Sequence, residues 1–236
     1  MRKMLGHVSA GCAGALVGVA AMSMVTPAIA EDDGPQRFGH IVAERVDIVE
    51  PDGTLRQVLY SKSRDPGIMV RGQSYRHPSR TQSGMLFYND EGTEVGGLVY
   101  AGEERENGEG ESGGSLTFDA YEQDQIVQVI GVQDGSRKMA GLIVSDRPEE
   151  RMDFPLIESL GQPMSDEQRA SVIERANLGG AARGFFGRAW NGDSTLELRD
   201  REGRVRFAVT VAEDGAAELV FRDEKGTVVR KITAEE

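Results

Sequence analysis

Cysteine is almost missing from the 236 residues: Cys12 is the only one, and histidine occurs three times, as His7, His40 and His77. If the first 30 residues are removed, as argued below, no thiol remains, which excludes disulfides, cysteine zinc sites and cysteine nucleophiles. His40 and His77 alone cannot supply a multi-histidine metal site, although carboxylates are able to add ligands, and nothing in the sequence implies a cofactor. Positive charge is also scarce. Lys and Arg number 27 against 39 Asp and Glu, for a net charge of −12, so the chain is poorly suited to nucleic acid or an anionic membrane surface. G-x-S-x-G, H-E-x-x-H and the glycine-rich phosphate loop are all absent, which leaves the commonest hydrolase and nucleotide signatures without support.

The long apolar run lies at the N-terminus. Arg2 and Lys3 precede an apolar stretch from Val8 to Val25, and Ala28-Ile29-Ala30 stands before Glu31-Asp32-Asp33. A basic start, an apolar middle and an Ala-x-Ala ending are the marks of a secretory signal peptide over residues 1–30. The alternative is an uncleaved anchor in the inner membrane over residues 4–27, close to the ~20 residues a spanning helix needs. Cys12 follows Ala10-Gly11, but Ser9 stands where a lipobox needs leucine, which argues against lipidation. Removal of residues 1–30 leaves 206 residues with 25 basic and 39 acidic side chains, net −14. That is enough for one domain burying near 70% of its unfolded surface. Export to the periplasm or the exterior is the expectation, with residues 31–40 as a tether and 41–236 as a single domain.

Within that domain one short pattern recurs. Around Gly203 stand Leu196 and Leu198, seven and five residues before it, Asp200 three before, and Val209 six after. Gly226 has Leu219, Phe221, Asp223 and Ile232; Gly92 has Met85, Phe87, Asn89 and Leu98; Gly53 has Val46, Ile48, Glu50 and Leu59. Two degenerate copies fit Leu116, Phe118 and Val129 around Gln123, and Leu142, Val144 and Asp146 up to a break at Arg147-Pro148. Alternating apolar residues on both sides of the glycine predict half-buried antiparallel strands. The acid or amide is able to accept hydrogen bonds from the turn's N–H groups, and glycine adopts positive φ freely. Six hairpins make about twelve strands, short of a propeller. The predicted fold is all-β: an antiparallel meander of repeated hairpins, closed or nearly closed as a barrel or prism or folded into two packed sheets, with one short helical insertion over about 148–180. Ser165-Asp166-Glu167-Gln168 is a capping box that opens the helix, and Val172, Ile173 and Ala176 give it an apolar face. Ala101 to Ser115, acidic and glycine-rich, reads as a mobile loop between hairpins. Its acids lack the fixed spacing of a calcium loop.

The run Phe87-Tyr88-Asn89-Asp90-Glu91-Gly92-Thr93-Glu94, followed by Gly96-Gly97-Leu98, is the most distinctive stretch. Together with Tyr121-Glu122-Gln123-Asp124-Gln125 and the C-terminal L-x-L-x-D-x-x-G copies, it resembles a group of uncharacterised exported or membrane-anchored bacterial proteins. The likeness covers most of the chain after the leader. It implies the β-repeat fold and the compartment, and it carries no activity.

Two function classes follow. Arg71, Tyr75, Arg76, His77 and Arg80 bring cations and a ring into an acidic protein, close to Tyr88, Asn89, Asp90 and Glu94, with Tyr121 and Glu122 downstream. Such a set suits a pocket for a small anionic ligand or a glycan, or a contact with another envelope protein, within a binding or structural module. Ordinary pairing of the arginines with surplus acids accounts for the same residues. The alternative is a carboxylate-dependent hydrolase such as a carbohydrate-active enzyme, with Asp90 and Glu94, or Glu122 and Asp124, as acid and base and His77 as a further acid/base candidate.

Overall fold

The computed structural model describes residues 34–234; the expected leader, signal peptide or anchor, lies outside them. Residues 34–41 contain neither helix nor strand, and the chain from Val42 onward forms one compact unit. The strands are β1 (Arg45–Val49) and β2 (Leu55–Tyr60), a short pair β3 (Ile68–Val70) and β4 (Gln73–Tyr75), then β5 (Ser83–Tyr88), β6 (Glu94–Glu104), β7 (Gly110–Asp119), β8 (Gln125–Asp134), β9 (Arg137–Asp146) and β10 (Ala181–Arg188). β11 (Ser194–Arg199), β12 (Val205–Val211), β13 (Ala217–Arg222) and β14 (Val228–Thr233) complete them. All but β3 and β4 form one twelve-stranded antiparallel sheet in chain order, in which β1 and β14 each have a single neighbour, so the sheet does not close on itself. The fold is the expected all-β meander.

The six copies of the repeat are its six hairpins. Their turns lie along one edge of the sheet, and the break after Asp146 is where the turn between β9 and β10 is replaced by residues 147–180. The turn chemistry recurs. Asp200 N donates to Arg204 O and Gly203 N to Asp200 O, both at 3.0 Å, while Asp200 Oδ1 accepts from Arg204 N at 3.0 Å. Asp223 accepts likewise from Thr227 N at 2.9 Å and Asn89 from Thr93 N at 3.0 Å. Gly203, with φ of 77°, takes the left-handed conformation that a side chain would strain. Next to the turn each hairpin's register shifts by a bulge, at Phe87/Tyr88 and Phe118/Asp119 for example, which sharpens the local twist.

The apolar positions of the repeat stand opposite one another across the whole sheet. Val46, Leu59, Met85, Leu98, Leu116, Val129, Leu142, Phe186, Leu196, Val209, Leu219 and Ile232 are paired in that order. A second row on the same face, two residues nearer the turns, runs from Ile48 through Phe87, Phe118, Val144, Leu198 and Phe221 to Arg230. The buried core lies on the opposite face, where Val58, Tyr60, Leu86 and Tyr88 pack with Leu55 and Met69.

A second cluster is built by the insertion. Its helices α1 (Phe154–Glu158) and α2 (Asp166–Arg175) bring Phe154, Ile157, Leu160 and Ala176 together with Ile68, Val70 and Tyr75 of the short hairpin. Both arms of the Ser165/Gln168 capping box form, and Val172 and Ile173 pack inward as expected. One expectation fails. Ala101 to Ser115 is not a loop, because Ala101 pairs with Gly113 and Glu103 with Glu111 in a continuation of β6 and β7 around a turn at Arg105 to Gly108. Glycine and serine allow this close pairing, and Arg105 neutralises the acids by bridging Glu111 and Asp134, both at 2.6 Å.

Candidate functional site

Between the turns of β5–β6 and β7–β8 and the helical insertion lies a half-open cavity of about 500 Å³. The repeat itself prepares it. In the β7–β8 copy Gln123 stands where the four intact copies have glycine, and the left-handed residue is its neighbour Glu122. The buried Gln123 amide donates to Glu150 O at 2.9 Å and Asn177 O at 2.8 Å, and Met152 N donates to Glu122 O at 3.0 Å. Arg147 adds an ion pair to Asp124 at 3.0 Å and donates to Gln125 O at 2.8 Å. The departure from the repeat is thus the seat on which the insertion rests. Met152, Phe154, Ile157 and Leu160 form the apolar side of the cavity, and His77, Arg80, Glu94, Asp119, Glu122 and Asp124 form its polar side.

Arg80 is the centre of the polar side. Its side chain, 9% exposed, binds the Glu94 carboxylate, Asp65 at 3.4 Å and Gly67 O at 3.1 Å. Burial raises the Glu94 pKa and the Arg80 charge opposes that rise. Oε2 of Glu94 and Oδ1 of Asp119 are both buried with no hydrogen-bond partner. Asp119 is pushed up to about 8, first by burial and then by the charges of Glu94 and Asp124, so at neutral pH its carboxyl holds a proton. His77 is pushed the other way, down to about 4, by burial and then by Arg80. Its Nδ1 accepts from Arg80 N at 2.7 Å and Ser79 N at 3.2 Å. The imidazole is therefore neutral, with its hydrogen on Nε2.

A second network meets the cavity at Glu122 alone, its other members lying outside the lining. The Arg71 guanidinium meets Glu122 at 2.7 Å, Glu91 at 3.3 Å and the Tyr121 hydroxyl at 2.9 Å, and that hydroxyl donates to Glu91 at 2.7 Å. Arg151 reaches Glu122 at 3.1 Å and lies over the Tyr121 ring at 5.5 Å. The segment 71–80, which contains β4, the turn 88–94 and the segment 121–124 therefore converge.

Not every candidate belongs to the cavity. Tyr75 stacks on Phe154 with ring centroids 5.9 Å apart, and Tyr88 is a core residue whose phenol burial pushes its pKa up. Asn89 caps its own turn through Glu91 N and Thr93 N. Asp90, with a side chain 95% exposed, pairs with Arg56 at 2.6 Å and is not among the cavity residues, which removes it as the acid or base partner of Glu94. Asp119 escaped the sequence reading. It occupies the strand position just before the turn that Tyr88, Arg199 and Arg222 hold in other copies, and an acid there was the available signal.

Among the described residues no group of three or more His, Cys, Asp or Glu is arranged to hold a metal ion. No helix among them is long and apolar enough to cross a membrane. No family model, no curated protein and no solved structure matches the chain.

Proposed function

We propose that the chain is an exported bacterial envelope protein acting as a small-molecule binding module, with its ligand in the cavity between the β5–β8 turns and the insertion. The carrying observation is that two residues lining this cavity, Glu94 and Asp119, each hold a buried carboxyl oxygen, Oε2 and Oδ1, without a partner. An unpaired buried acceptor costs free energy that an arriving donor recovers. Arg71 and Arg80 are already neutralised by carboxylates, so the ligand class moves from a small anion to a molecule rich in hydroxyl or amine donors, with an apolar part for the α1 side. The leader and the resemblance to exported bacterial proteins support the compartment. Thermal-shift screening with neutral oligosaccharides, amino sugars, polyamines and organic anions tests the reading. Stabilisation by a donor-rich ligand that Asp119→Asn abolishes supports it, whereas a panel with no effect removes its basis.

The protonated Asp119 beside the Arg80-paired Glu94 also favours a second reading, a carboxylate-dependent hydrolase with Asp119 as acid and Glu94 as base. Turnover of a glycan substrate that is lost in Glu94→Gln would place this reading ahead of simple binding.

A further inference from the structure

We propose that the apolar face of the twelve-stranded sheet is where two copies of this chain associate, face to face. The inference is independent of the cavity, which lies beside the insertion. The two apolar rows contain 24 positions, and Arg230 is the single charged residue among them. Charged residues make up 28% of the chain, so an ordinary solvated face of this size would carry about seven. The opposite side of the same strands does carry charge, at Asp47, Glu197 and Lys231.

The face is also open. Val129 is 51% and Phe186 65% exposed, against 0% for Val58 and 1% for Leu86 on the other side. The insertion and the β3–β4 hairpin pack among residues of that other side, with Met69 joining the Val58 and Leu86 core. Twelve strands about 4.8 Å apart make the strip roughly 55 Å long, and two rows about 6.8 Å apart make it roughly 14 Å high. The resulting area of about 750 Å² exceeds the apolar patches normal on a monomer, ~300–600 Å². It matches the ~800 Å² that each partner contributes to a stable protein interface.

Shape and charge choose the occupant. A strip about 14 Å high falls well short of the ~30 Å bilayer core. The turns bordering the second row carry Glu50, Asp52, Asp90, Asp200, Glu202 and Asp223 against Arg201, Arg204 and Lys225, a net negative border that anionic headgroups would repel. A second sheet of the same length, twist and dryness matches the strip's height, and a two-fold axis along the strip sets the two acidic borders at opposite edges of the contact. Two identical faces pack as the halves of a β-sandwich through a two-fold axis.

The test is sedimentation equilibrium of the protein purified in the form an exporting bacterial host leaves it, from about 0.5 to 50 μM. The expected mass is that of two copies. Phe186→Glu, placing an unpaired charge in the dry contact, is expected to weaken the dimer by about a hundredfold or more, with the circular dichroism of the sheet unchanged. Should that variant fail to fold, Val129→Glu on another hairpin provides the same measurement. A one-copy mass at 50 μM overturns the proposal, as does a dimer that survives a folded variant. A one-copy protein that floats with vesicles of phosphatidylethanolamine and phosphatidylglycerol overturns it in favour of a membrane surface.

Discussion

Arg71 and Glu122, two non-glycine residues with left-handed backbones at φ of 50° and 49°, meet in an ion pair of 2.7 Å. Conformations of this kind are unfavourable on their own and persist where surrounding contacts hold them. The contacts here are Tyr121, Glu91 and Arg151, which tie the 71–80 loop, the β5–β6 turn and the insertion to one buried carboxylate. Glu122→Gln keeps the shape and deletes the charge. The expected loss is about 1–3 kcal/mol in urea denaturation, with Arg71→Ala costing less because Arg151 still reaches the carboxylate.

Removing the Arg80 guanidinium leaves Glu94 and Asp65 without their shared cation. Arg80→Ala is expected to cost about 3–5 kcal/mol, the usual penalty for stranding one member of a buried pair. Adding Glu94→Gln is expected to recover at least half of that. Additive losses in the double variant would show that the pair is not what holds the loop.

Two titrations oppose each other below pH 6.5 and separate above it. His77, lowered to about 4, is neutral in the fold while the unfolded chain's histidine protonates near 6.5, so its part of the stability rises with pH across that interval. Asp119, raised to about 8, stays protonated in the fold while the unfolded carboxyl ionises near 4, so its part is lost as pH rises toward 8. Between pH 6.5 and 8 the Asp119 effect stands alone of the two. Stability is expected to fall there by about 1 kcal/mol per pH unit, and Asp119→Asn to flatten the slope. A wild-type melting temperature that is level from pH 6.5 to 8 would contradict the assignment.

Gln123 holds the insertion by two hydrogen bonds from one side-chain amide. Gln123→Ala is expected to speed amide exchange across 147–180 by tenfold or more, with a stability loss of about 1–3 kcal/mol. The Leu196 to Val209 ladder should exchange as before. Restoring the glycine of the other copies is not expected to help, because the positive φ of this turn belongs to Glu122.

What could be read from the chain alone was whatever repeats locally. Val46, Leu98 and Ile232 share a spacing to their glycines, and that spacing set both the hairpin and its register. The glycine-rich strand ends at Gly102 and Gly113 misled because their pairing rests on a neighbouring strand and on Arg105, which no local pattern reveals. The cavity was half visible. His77, Arg80, Glu94 and Glu122 stand out as polar residues in a polar stretch, but Asp119 lies 25 residues beyond Glu94 and Phe154 lies 32 beyond Glu122, separations that no local pattern spans. Asp90 and Glu94, weighed together as acid and base, have different partners, Arg56 and Arg80, since a turn residue and a strand residue four apart point to different environments.

The cavity draws its walls from β3, the 77–80 segment, the β5–β6 and β7–β8 turns with the strand ends beside them, and the insertion, whereas β11 to β14 contribute only to the strip. Those last two hairpins work as a ruler. Each added or deleted one would change the length by about 10 Å and leave the cavity intact, so the length of the strip and the lining of the cavity are free to vary separately.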